Sequence, residues 1–274
     1  QIREYIRRNL LDVSNNIDNY ISNNNDKTLN NGTNLKLTLF TYKQESEAYV
    51  SDYKLKLRLK LPNTEKKLKL IIIDENEASD IKDNDYKNND ASEQSVALQY
   101  NVIDKFKQSL KASVGLRLKD NVNRYIKLKY KSSFLLNKFV ISKVGQELRY
   151  SSDKKFVTTS SIEFTKYLNY TFILANYNEY KWEKEDEINT LFNSIKLYQI
   201  LSKKEYFGYS ITKVKDDFES SFMTKEYQLI VQYRKYIKKW LYFEIIPKVR
   251  YMREFDFSAR HQLRFNLSFY FGKD

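Results

Sequence analysis

From Gln262 to Phe271 the chain places Leu263, Phe265, Leu267, Phe269 and Phe271 at every second position, with polar or small residues between them except Tyr270. A period of two over about ten residues, closing on aromatics, fits a strand with one face against lipid and the other against a wet lumen. The same alternation recurs along the chain. Tyr53, Leu55, Leu57, Leu59 and Leu61 alternate with Lys54, Lys56, Arg58 and Lys60, and Ile126, Leu128 and Tyr130 alternate with Lys127, Lys129 and Lys131. The pattern predicts fourteen strands, at about 34–43, 48–61, 66–73, 94–103, 108–119, 124–134, 137–149, 155–166, 169–182, 188–201, 205–214, 225–234, 239–252 and 260–271. The segments 137–149 and 188–201 alternate least cleanly, and merging or losing a pair leaves twelve. Either even number brings both ends of the sheet to one side.

The first residues follow a different period. Ile2, Ile6, Leu10, Val13 and Ile17 recur at steps of three and four without Pro or Gly, which predicts an amphipathic helix. The expected organisation is a periplasmic helix at 1–24, an Asn-rich linker at 25–33 and a barrel at 34–274. Connections alternate in length: Pro62–Glu65, Lys166–Asn169 and Arg234–Lys239 read as short turns, Asp74–Glu93 and Lys213–Thr224 as long loops. Barrels of this kind keep short turns in the periplasm and long loops outside, so residues 74–93 are expected at the cell surface. The fold class read from the pattern is all-β, an antiparallel transmembrane barrel.

Composition agrees. Aromatics reach 15% of residues, with 23 Tyr and 17 Phe, as wanted where an apolar ring and a wet hydroxyl share a membrane interface. No run of about 18 apolar residues exists to form a spanning helix. The absence of cysteine excludes disulfides, thiolate metal sites and Cys nucleophiles. No signal peptide is visible, so on the barrel reading the chain is expected to be a mature form. The net charge of +13 raises nucleic acid as a partner. However, the basic residues keep to one strand parity and nothing matches a helix-turn-helix or an aromatic RNA-binding signature. Nucleic acid is therefore not expected.

Residues 34–271 resemble a bacterial outer-membrane β-barrel, with the terminal Phe269-Tyr-Phe271 similar to the end strand read by the barrel insertion machinery. Gly272, Lys273 and Asp274 after the last Phe depart from that pattern. The blocks Lys54–Leu70 and Trp240–Val249 also resemble functionally uncharacterised outer-membrane proteins of proteobacteria. The resemblance implies location in the outer membrane, among lipids that include lipopolysaccharide, and implies no activity.

Candidate chemistry is sparse. His261 is the only histidine; Ser258 lies three positions before it, which puts the pair on opposite faces of a strand. A lipid-active enzyme would need a serine from elsewhere. The acid pairs Asp216/Asp217 and Asp83/Asp85 have no regular metal spacing, and no cofactor or metal is expected. The inward parity carries Lys54, Lys56, Arg58, Lys60, Lys111, Arg117, Lys119, Lys127, Lys129, Lys131, Lys248, Arg250 and Arg264, with Glu163 and Glu244 as counter-charges. Such a wall either favours anions or is neutralised by acids, loops and the helix. Pro247 falls inside a strand, where its missing N–H marks a bulge or a local opening of the wall.

The sequence therefore points to a non-enzymatic membrane anchor, scaffold or narrow channel, with the helix docked on the membrane surface or on a periplasmic envelope partner. An enzyme using His261, or passive transport of a small or hydrophobic solute, is the alternative.

Overall fold

The computed structural model describes residues 2–22, 33–45, 47–62, 64, 67–74, 94–105, 107–118, 122–218 and 221–272. The helix α1 (Ile2–Ser22) precedes fourteen strands: β1 (Asn34–Gln44), β2 (Val50–Lys60), β3 (Leu68–Asp74), β4 (Gln94–Lys105), β5 (Gln108–Leu118), β6 (Val122–Asn137) and β7 (Val140–Ser151), then β8 (Lys155–Tyr167), β9 (Phe172–Glu183), β10 (Ile188–Ser202), β11 (Glu205–Phe218), β12 (Ser221–Lys238), β13 (Leu241–Met252) and β14 (Ala259–Phe271). Each strand pairs antiparallel with its sequence neighbours, and β1 pairs with β14 from Leu35↔Phe271 to Gln44↔Gln262, closing the barrel. Every strand thus has a hydrogen-bonded neighbour on each side, the arrangement that lets a sheet sit in lipid. Among the described residues the shortest ladder joins β2 to β3, from Lys56↔Ile73 to Lys60↔Lys69.

The register sorts the side chains into two faces. Thr38 stands opposite Ser268 on one side and Lys54 on the other, and Asn266 stands opposite Glu244. These residues define the inward face, where Thr38, Ser268, Asn266 and Glu244 are buried. The other face carries Leu37 against Leu55 and Phe269, and Phe265 against Ile245. Leu263, Val114, Ile126 and Ile211 stand exposed on this outer face, which only a hydrocarbon surrounding makes favourable. Leu57 and Leu267 share it, as expected. Leu59 keeps the same parity but is covered, at the foot of β2. Outward aromatics ring both ends: Tyr150 packs on Phe156 at 5.0 Å far from the chain ends, and Tyr233 on Phe207 at 4.9 Å nearer to them. A charge at Leu267, as in Leu267→Lys, should cost about 2–4 kcal/mol near the bilayer midplane. Unfolding in lipid vesicles measures it, and a variant as stable as the parent would place Leu267 away from lipid.

Inside, Gly115 lies beneath the Tyr125 ring. A Cβ there would stand 2.8 Å from Tyr125 Cζ and 2.7 Å from the Val96 carbonyl oxygen, so only glycine allows this close approach.

Three expectations change. Arg234–Lys239 is not a turn, since β12 runs to Lys238 and Arg234 pairs with Glu244 of β13. Lys213–Thr224 is not a long loop, since β11 runs to Phe218 and β12 begins at Ser221. Its charges are strand residues: the register sends Asp216 inward opposite Thr190, while Lys213 lies outward opposite Asn193. Pro247 does not make a bulge. The β12–β13 ladder pauses between Ile230↔Lys248 and Tyr233↔Ile245 and resumes in the same register, while Pro247 pairs with Leu263 on the β14 side. The missing N–H interrupts the bonds without adding a residue to either strand. Residues 75–93, which hold Asp83 and Asp85, and residues 25–32 of the linker lie outside the described residues, while its last residue, Thr33, is buried.

Candidate functional site: the lumen wall and the end helix

The basic positions read from parity fall on one face. Lys54, Lys56 and Arg58 of β2 share the inward side with Lys36 and Thr38 of β1. Lys111 and Arg117 of β5 face Lys129 and Asn123 of β6, with Lys127 and Lys131 on the same side. Lys60 ends β2 opposite Lys69. Lys248, Arg250 and Arg264 line the inward side of β13 and β14, opposite Gln262, Arg260 and Ile246. Lys119 lies outside the described residues.

The two halves of the wall differ. Around β7–β13 most inward acids meet cations: Glu147 with Lys129 at 2.9 Å, Glu163 with Lys143 at 3.1 Å, Glu183 with Lys154 at 2.7 Å and Lys181, and Glu226 with Arg250, while Glu179 accepts from the Tyr177 hydroxyl. Asp216 holds Arg253 at 2.9 Å and Lys225 at 3.1 Å. The densest knot is at Glu244, which is 1% exposed. Its Oε1 accepts from Gln232 at 2.7 Å and from Arg234 Nε at 2.6 Å, and its Oε2 from Asn266 at 2.9 Å. Ser194, Thr212, Gln228 and Ile246 are equally shut from solvent, so this half of the interior is packed.

On the opposite half, Lys54, Lys56, Lys127, Lys129 and Lys131 are half-buried and Arg58 is exposed. Along β2–β6 the inward acids are Asp52, near the outer end, and Asp104, near the turn end. Aromatics lie among the cations: the Phe40 ring takes Arg264 at 4.2 Å and Lys54 at 5.8 Å, and Tyr125 takes Lys127 at 5.5 Å. A ring accepts a cation without neutralising it. Ion pairs on the basic residues named from sequence include those of Lys129 and Arg250 and that of Arg117 with Asp153 at 3.1 Å. The solvent-reached part of the lumen is therefore its basic side.

At the end where β1 starts and β14 finishes, α1 docks by a seam the apolar pattern did not indicate. Ser14, Asn15 and Asp18 are the buried residues of the helix. Ser14 Oγ donates to the Lys60 carbonyl at 2.9 Å and accepts from Thr33 Oγ1 at 2.9 Å; Asp18 Oδ1 accepts from the Thr64 N–H at 2.7 Å and its hydroxyl at 2.8 Å. Arg3 lies 5.8 Å from the Trp240 ring, so the helix reaches from the β12–β13 turn to the β2–β3 turn. Of the predicted stripe, Ile6, Leu10 and Ile17 are half-buried and Val13 is exposed. Nothing is described for the Ile2 side chain. Arg7 grips Glu4 through two hydrogen bonds of 3.1 and 2.6 Å, and this holds the Glu4 carboxyl down at about 2. Glu4 thus stays ionised beside Arg3, Arg7 and Arg8, which outnumber it.

His261 sits near the outer end of β14 with its side chain exposed, opposite Val249 on the outward face. Its backbone N–H donates to Glu45 at 3.3 Å, and among the described residues no hydroxyl bonds its imidazole.

No protein-family model and no curated protein matches the sequence. Solved structures match the shape. A bacterial polysaccharide outer membrane secretin is 9% identical, with 90% of this chain and 100% of that chain covered and a TM-score of 0.51. Outer-membrane expressed OmpT of Vibrio cholerae is 10% identical over 87% and 96% of the two chains, with a TM-score of 0.51. The COG4313 outer membrane channel from Pseudomonas putida F1 gives 8% identity, coverages of 89% and 97% and a TM-score of 0.47. The fold is that of bacterial outer-membrane barrels.

Proposed function

We propose that the chain is a non-enzymatic, narrow outer-membrane channel that favours small anionic solutes. The observation that carries this reading is the uneven lumen. Most acids on β7–β13 are bound to cations in a packed half, whereas the half reached by solvent is lined by Lys54, Lys56, Arg58, Lys127 and Lys131. Fixed positive groups along one wall raise the local anion concentration and lower the barrier to anion entry. Purified protein in planar bilayers under a salt gradient tests it: the expected reversal potential has the sign of anion preference. A cation preference, or an insulating barrel, would end the proposal. Kinship with the uncharacterised proteobacterial outer-membrane proteins suggested by Lys54–Leu70 and Trp240–Val249 belongs to this same reading. The outward Lys213 and Lys215, seated on the Tyr227 and Phe222 rings near the outer end, support contact with lipopolysaccharide phosphates.

A second role, docking, is supported by α1. Val13, Tyr20 and Ile21 are exposed while the polar seam is spent on the barrel, which leaves the apolar stripe for the inner-leaflet interface or a periplasmic envelope partner. Deleting residues 1–24 should leave a folded barrel with nearly unchanged conductance and weaker association with that surface. A large conductance rise on deletion would show instead that the helix obstructs the pore.

A further inference from the structure

The outer belt is apolar around most of the barrel and breaks in one window. On β9 the outward series runs Phe172, Leu174, Asn176, Asn178, Tyr180 and Trp182, so two amides occupy mid-strand between apolar and aromatic ends. Asn178 stands opposite Asn193 of β10, and one strand further back Gln146 of β7 stands opposite Ser160 of β8. Thr158 completes the window on the same face. The groups bond to one another: Gln146 Nε2 donates to Thr158 at 2.9 Å, Ser160 Oγ to Gln146 Oε1 at 2.6 Å, Asn178 Nδ2 to Asn176 Oδ1 at 2.7 Å, and Asn193 Nδ2 to Asn178. Asn176 Nδ2 donates to the Ser194 carbonyl at 3.4 Å.

Lipid tails offer these groups nothing, and a polar atom facing hydrocarbon without a partner is costly. Each amide carries two N–H donors and a carbonyl with two acceptor positions. In the bonds just described each of the four amides donates a single N–H. The window is therefore half-satisfied by itself and needs a polar cover. Its composition selects the cover. The six residues are amides and hydroxyls, and the charge beside them, Lys213 opposite Asn193, lies over the Tyr227 ring, so the window itself offers a charged partner no counter-charge. Every member both donates and accepts, which makes the window complementary to itself across a two-fold axis. Ile195 and Tyr180, both exposed at its margin, supply apolar contact for the same approach.

We propose that this window is a homodimer interface, in which a second copy of the chain meets the first back to back through β7–β10 within the membrane. The chain contains no cysteine, so Ser160→Cys introduces a single thiol. In native membranes, mild oxidation of S160C should give a disulfide-linked species at twice the monomer mass, whereas Leu263→Cys, on the far side of the barrel, should stay monomeric. Mass measurement in lipid nanodiscs should show a dimer that Asn178→Leu combined with Asn193→Leu abolishes, with heat-modifiable gel mobility confirming that the variant barrel is folded. A monomer in nanodiscs together with no cross-link at S160C would overturn the proposal. So would a stoichiometric complex in which a different protein shields S160C.

Discussion

Replacing Lys56, Lys127 and Lys131 by glutamate is expected to invert the ion preference of the pore. The three lie on the solvent-reached half of the lumen, on β2 and β6. Lys129 is left in place because Glu147 is bound to it at 2.9 Å, and a carboxylate there would set two acids against each other. Each reversal changes the wall by two charges while the strand parity, and hence the lipid face, is untouched. A shift of about 1.4 kcal/mol in the relative free energy of anion and cation inside the pore changes their ratio roughly tenfold. Six units of charge along one wall are ample for that in a confined lumen. Reversal potentials before and after substitution read the change. If the ratio stays within about twofold, a limit of roughly 0.4 kcal/mol, the permeation path does not run along this wall.

Glu244→Ala should be the most damaging single change inside the packed half, at about 3–5 kcal/mol. It removes the carboxylate that binds Arg234, Gln232 and Asn266 and leaves a mostly buried guanidinium without its counter-charge. The Arg234 stack on the Tyr242 ring at 4.7 Å does not replace a carboxylate. Glu244→Gln keeps the shape and part of the hydrogen bonding, so about 1–3 kcal/mol is expected. Exchanging Glu244 and Arg234 together for apolar residues of similar volume should recover most of the loss. Denaturant unfolding in vesicles orders the three variants. Equal losses for the double exchange and for Glu244→Ala would show that packing volume, rather than the unpaired charge, sets the cost.

Strand positions were legible because lipid on one side and water on the other impose a period of two on every spanning segment. Hence the expected 94–103 and 155–166 meet strands at Gln94–Lys105 and Lys155–Tyr167. The inward cations were legible for the same reason. Asp216 escaped, because an acidic run reads as a loop until a neighbouring strand supplies its cations. Glu147, Glu183 and Glu226 escaped because their cations Lys129, Lys154 and Arg250 come from other elements, which parity within one strand does not encode. The two segments that alternate least cleanly, 137–149 and 188–201, are those that place Gln146 and Asn193 on the outer face. What reads as a weak strand is a sound strand with an unusual exterior. On α1 the apolar period drew attention to Ile6, Leu10 and Val13, whereas docking runs through Ser14 and Asp18, whose partners Thr33 and Thr64 lie far along the chain.

A closed barrel is only as durable as its thinnest zipper. Among the described residues that zipper is not where the chain ends meet, since β1 and β14 are laced along most of their length, but between β2 and the short β3. Thermal breathing should begin there, and amides of Ile71 and Ile72 should exchange with solvent sooner than those of Leu37 and Leu267. The helix fastens at this spot, with Ser14 on the last residue of β2 and Asp18 on the turn that leads into β3. It thus works as a clasp on the seam most prone to part. Asp18→Ala, harmless to the rest of the wall, should quicken exchange at β2 and β3 alone.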